Sequence, residues 1–178
     1  MRGVVARWNI LDLTNRFDTE GQAAALGPLV RANRASGLGL SLEVDTRDNI
    51  FTPSHGWTGS LDATSYSPNW GSDTHFQSYR AHAFGWWPAT KSLVLAGRID
   101  GRAVDGEVPF YMLPFIDLRG VPAFRLQDRR TAVLETEARW NLTPRWALIG
   151  FVGAGRAWGT TKDWSDGTHT VSKGVGFR

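Results

Sequence analysis

Residues 37–45 read Gly-Leu-Gly-Leu-Ser-Leu-Glu-Val-Asp and alternate without a break. Side chains of a β-strand have period two. Leu38, Leu40, Leu42 and Val44 therefore share one face, and Gly37, Gly39, Ser41, Glu43 and Asp45 share the other. One face is wholly apolar and the other is polar and partly charged. In a soluble sandwich the apolar face would meet a second sheet. In an outer-membrane barrel it would meet lipid, with the polar face lining an aqueous bore.

The same rhythm recurs. Gly3–Leu11 places Val4, Ala6, Trp8 and Ile10 on one face, and Gly56–Ser67 sets Trp57, Gly59, Leu61 and Ala63 against Thr58, Ser60, Asp62 and Thr64. His75–Trp87 alternates less cleanly and carries Arg80 and His82 on one face. Leu93, Leu95, Gly97 and Ile99 alternate with Val94, Ala96, Arg98 and Asp100. Ala132–Asn141 puts Glu135, Glu137 and Arg139 together, Trp146–Trp158 is glycine-rich, and Thr170–Arg178 opens a last strand. Residues 22–33, rich in Ala and Leu, have the composition of a short helix within a loop, broken near Pro28. About eight strands result, with short turns at one end and longer loops at the other, a barrel trait. The longest break, 104–130, holds Pro109, Pro114 and Pro122 but also Phe110, Tyr111, Leu113, Phe115 and Ile116. It is too aromatic for disorder and reads as a folded loop that packs on something. The domain organisation is thus one partial barrel over 1–178: a first strand and loop (1–36), strands (37–103), the long loop (104–130) and strands (131–178).

Composition narrows the chemistry. No apolar run reaches the roughly 18 residues of a membrane helix. Nine tryptophans include Trp57, Trp70, Trp86, Trp87, Trp140, Trp146, Trp158 and Trp164 near strand ends, where interfacial girdles would place them. There is no cysteine, which excludes disulfides, thiolate metal sites and a cysteine nucleophile. The net charge of +3 is scattered, with no basic run beyond Arg129-Arg130, so no nucleic-acid partner is expected. His55, His75, His82 and His169 lack metal-ligand spacing, and no nucleophile elbow or phosphate loop occurs. Neither an enzyme, a cofactor nor a metal is expected. Asp45, Arg47 and Asp48 read best as a strand-end turn with an Asp–Arg pair and Asx-type capping. Met1-Arg2-Gly3 opens no signal peptide and the chain stops in mid-strand, so it reads as part of a longer protein.

Several pieces stand in a telling order: Asp45–Pro53, Leu95-Ala-Gly-Arg98, Pro109-Phe-Tyr-Met-Leu-Pro-Phe115, Leu118-Arg-Gly120, Glu137-Ala-Arg139 and Gly150-Phe-Val-Gly-Ala-Gly155. The series, over residues 37–178 with 1–16 as a preceding strand, resembles the C-terminal barrel half of the BamA/TamA superfamily. That resemblance implies an all-β, antiparallel, up-and-down transmembrane barrel in the bacterial outer membrane. About eight of its sixteen strands would be present, as a partial open curved sheet. It implies a loop folded into the lumen with Leu118, Arg119 and Gly120 at its tip, and acidic partners for the tip arginine on the wall. Glu137 matches one, with Glu135 on the same face. Gly153 stands where the family's other acid would be, and Val121 replaces an aromatic. Arg119 is therefore expected to lean on Glu135 or Glu137; the alternative is a solvated turn residue. The implied function is insertion or translocation of outer-membrane proteins. Its partners would be outer-membrane lipid, client outer-membrane proteins or periplasmic accessory proteins. A polar-lumen channel or ligand-binding barrel is the alternative, and a soluble eight-stranded barrel with its apolar face inward is a third reading.

Overall fold

A computed structural model describes residues 3–15 and 33–178. Eight strands follow one another: β1 (Gly3–Asn15), β2 (Asn33–Asp45), β3 (Gly56–Tyr66), β4 (Phe76–Pro88), β5 (Leu93–Gly106), β6 (Arg130–Asn141), β7 (Ala147–Trp158) and β8 (Thr168–Phe177). Each pairs antiparallel with the next, giving one up-and-down sheet in the order β1 to β8. The sheet does not close: β1 and β8 are its two edges.

Register carries the alternation across every strand boundary. Trp8 faces Leu40, Leu42 faces Leu61, Leu61 faces Ala81, Ala83 faces Ile99, Ile99 faces Leu134, Leu134 faces Ala154 and Ala154 faces Val171. One face is thus apolar over all eight strands, and Leu61, Ile99, Leu134 and Val171 are each more than half exposed. Thr136 on β6 and Lys173 on β8, both opposite Val152, interrupt it, and Arg34, Gln77, Asp105, Arg130, Arg156 and His169 form a polar border at one end. The opposite face collects Glu43, Asp62, Arg80, Asp100, Glu135 and Arg139.

Buried apolar clusters lie on the polar face, beneath the 107–129 loop. Val108 and Met112 pack on Ala35, Tyr66 and Phe76, and the Tyr66 and Phe76 rings stack at 4.1 Å. Ile116 and Leu118 pack with Val133 and Ala157, joined by Val121 and Leu126. The loop is folded on itself as well. Phe115 bridges Gln127, the Ile116 amide donates to the Leu126 carbonyl at 3.0 Å, and the Phe115 and Phe124 rings lie 4.6 Å apart.

Strand limits differ from the sequence reading where pairing extends an element beyond its alternation. β2 begins at Asn33 instead of Gly37, because its first residues pair with the end of β1. β5 runs to Gly106 opposite Phe76, and β6 starts at Arg130 opposite Ala103, so the long loop is 107–129. β8 starts at Thr168, paired with Ala157. The helix expected over 22–33 lies outside the described residues, save Asn33, which opens β2. Connections at one sheet end are 89–92, 142–146 and a longer one, 46–55; the other end carries 67–75, 107–129 and 159–167.

Candidate functional site

Leu118-Arg-Gly-Val forms a β-turn closed by a 3.0 Å bond from the Val121 amide to the Leu118 carbonyl. Gly120 sits at its third position with φ +79°, a left-handed conformation that the type II turn reserves for glycine. The turn places Ile116 and Leu118 against β7, where two glycines make room. A Cβ at Gly153 would lie 2.6 Å from Leu118 Cδ1, and one at Gly155 would overlap Ile116 Cγ2. Gly153 therefore seats the loop's leucine, and an acidic side chain there would compete with it. Gly150, by contrast, has open space around it.

The charged side chains of the tip reach the wall of β5 and β6. Arg119 Nε donates to Glu135 Oε1 at 2.9 Å and Nη1 donates to Glu137 Oε2 at 2.6 Å. Its guanidinium lies 4.0 Å from the centre of the Phe151 ring. Ser172 on β8 donates its hydroxyl to the Arg119 carbonyl. Burial opposes the charge on Arg119, but the carboxylates of Glu135 and Glu137 outweigh it and raise the pKa of the guanidinium. The two predicted acids are thus both brought to the tip. Val121 packs beside Ile116 and Leu118.

A second contact was not legible in the sequence. Asp117 Oδ2 accepts from Arg98 Nη2 at 2.9 Å and from Arg102 Nη2 at 3.0 Å. Both arginines also hold Asp100, which is 3% exposed, and Arg80 Nη2 reaches Asp100 at 2.8 Å. Arg98, Asp100 and Arg102 share one face of β5, a pattern visible as alternation. What it cannot reveal is that a loop carboxylate completes the cluster.

Asp45, Arg47 and Asp48 form a self-contained turn. Arg47 binds the Asp45 carboxylate through Nε at 3.0 Å and through Nη2 at 2.5 Å. Asp48 accepts from the backbone amides of Ser54 at 2.9 Å and His55 at 3.1 Å, which hold its carboxyl below the usual range. Both acids are thereby engaged as turn and cap. No group of three or more His, Asp or Glu could hold a metal ion among the described residues. Ser60 Oγ lies 3.1 Å from His82 Nδ1, yet it donates to Asp62 at 2.7 Å. The carboxylate engages the serine and not the imidazole, which is not the order of a nucleophilic triad.

No protein-family model matches the chain, and no curated protein matches it. The likeness to the BamA/TamA superfamily rests on the motifs alone.

Proposed function

We propose that this chain is part of the wall of a transmembrane β-barrel in the bacterial outer membrane, of the BamA/TamA-like assembly and secretion kind, with the 107–129 loop seated inside. One observation carries the reading: an apolar face exposed across eight strands, backed by a charged face that the chain's own loop covers. An apolar surface of that extent is costly in water and neutral against acyl chains. The soluble-barrel reading needs those aliphatics in a dry centre, whereas the buried clusters lie on the charged side. The seated loop also weighs against a steady open channel. Unpaired edges cannot lie in hydrocarbon, so further strands must pair with β1 and β8. Outer-membrane lipid is the first partner; client outer-membrane proteins and periplasmic accessory proteins follow from the resemblance.

The absence of cysteine makes a direct test available. Single cysteines at Leu61, Ile99, Ser60 and Ser78 are labelled with an environment-sensitive fluorophore, in the full reading frame, and the protein is reconstituted in vesicles containing brominated lipid. Labels at Leu61 and Ile99 are expected to be quenched and those at Ser60 and Ser78 spared. Equal quenching at all four sites, or the reverse pattern, refutes the proposal.

A further inference from the structure

Most arginines on the polar face meet a carboxylate: Arg80, Arg98 and Arg102 at Asp100, and Arg119 at Glu135 and Glu137. Arg139 does not. It is 9% exposed, and no carboxylate lies within ion-pair distance of it among the described residues. Nη2 donates to the Pro53 carbonyl at 2.8 Å and to Ser54 Oγ at 3.2 Å, while Nε is buried without a partner. Glu137, two positions earlier on the same face, is taken by Arg119. A guanidinium withdrawn from water with no counter-ion is strongly destabilising.

Arg139 lines a cavity of about 400 Å³ at the sheet end that carries the shorter connections. Arg145 and Arg178 line it too, again with no carboxylate partner among the described residues, together with Ser54, Asn141 and Thr143. We infer that this cavity is a binding site for a phosphoryl group, that of a small phosphorylated molecule. Three arginines in one lining, beside hydroxyl and amide groups, bring more positive charge than the single charge of a carboxylate balances. A phosphomonoester brings three oxygens and about 1.5 to 2 negative charges, and arginine's fork suits it. The cavity lies within the range of small-molecule sites, roughly 300–1,000 Å³. Ser54 accepts from Arg139, which leaves its own proton free for a ligand oxygen. The loop 46–55 positions the site, since Pro53 and Ser54 reach from the β2–β3 connection across to β6.

The test is titration calorimetry on the protein from its full reading frame in detergent, with inorganic phosphate, glycerol 3-phosphate, acetate and dihexanoyl phosphatidic acid as probes. Both soluble phosphates are expected to bind saturably. Arg145→Gln, at an exposed turn position, should weaken them about tenfold, and Arg139→Gln should abolish binding. Because Arg139 also holds the 46–55 loop, Arg145→Gln keeps the test decisive if Arg139→Gln misfolds. Phosphatidic acid binding tighter than glycerol phosphate assigns the phosphoryl group to a lipid headgroup; the reverse assigns it to a soluble ester; both support the site. Absence of saturable binding by either soluble phosphate, affinities untouched by Arg145→Gln, or acetate binding as tightly as phosphate would each overturn it.

Discussion

Replacing Arg119 by alanine removes that residue's two charged contacts with the wall while leaving those of Asp117 and the β-turn, whose closure depends on the backbone and on Gly120. The cost can be bracketed. Exposed ion pairs contribute about 0–1 kcal/mol, and breaking a buried one costs about 3–5 kcal/mol. Arg119 retains 39% of its side-chain surface, which discounts the upper figure, but Glu135 retains 7% and its second oxygen already lacks a partner. Including the contact with Phe151, about 2–3 kcal/mol of loop seating depends on this one side chain. At 1.4 kcal/mol per factor of ten, the tip should open about 30- to 140-fold more often. Amide hydrogen exchange reads this directly, because the Ile116 and Val121 amides are bonded within the loop. Both should exchange faster in Arg119→Ala, with the strands unchanged. Arg119→Lys, a point charge without the fork, should fall between. Adding Glu137→Gln to Arg119→Ala should bring no further acceleration, since the interaction is already gone. Unchanged exchange at Ile116 and Val121 in Arg119→Ala would refute the reasoning and leave the arginine a bystander.

Two further perturbations test the seating from other sides. Gly155→Ala introduces a methyl where Ile116 Cγ2 now sits, so it should lower stability by about 1–3 kcal/mol in thermal unfolding, and the added change Ile116→Ala should recover part of that loss. The Asp48 carboxyl has a depressed pKa in the folded loop, so its stabilising contribution is complete above the ordinary aspartate value and is lost as pH falls through the lower, folded one. Exchange of the Ser54 and His55 amides should therefore stay slow through mildly acid pH and rise only below the ordinary aspartate range, and Asp48→Asn should remove that acid transition.

The strands were legible because each carries its own two-residue period, and the face assignments followed from that period alone. Boundaries were less so: Asn33–Ser36 and Val104–Gly106 extend their strands through pairing with a neighbour, which local composition does not encode. At the tip, Leu118-Arg-Gly and its acidic partner Glu137 came from the family resemblance, and alternation added that Glu135 shares the face of Glu137. The contact of Asp117 with Arg98 and Arg102 depends on how far the loop folds back, and that of Arg139 with Pro53 and Ser54 crosses from one connection to a distant strand. Neither is a property of any short stretch of sequence. Gly153 was legible as an oddity but not as a socket; its purpose emerges only when Leu118 is seen in the space a side chain would need.

Asp117 and Arg119 carry opposite signs two residues apart, and each answers an opposite sign on adjoining strands: arginines on β5, glutamates on β6. The loop is therefore keyed. Reversed, it would set acid against acid and base against base; slipped sideways by one strand, it would set one of its two charges against a like charge, and Ile116 and Leu118 would miss the spaces at Gly155 and Gly153. The seat of the loop thus exists only where β5, β6 and β7 hold their proper alignment.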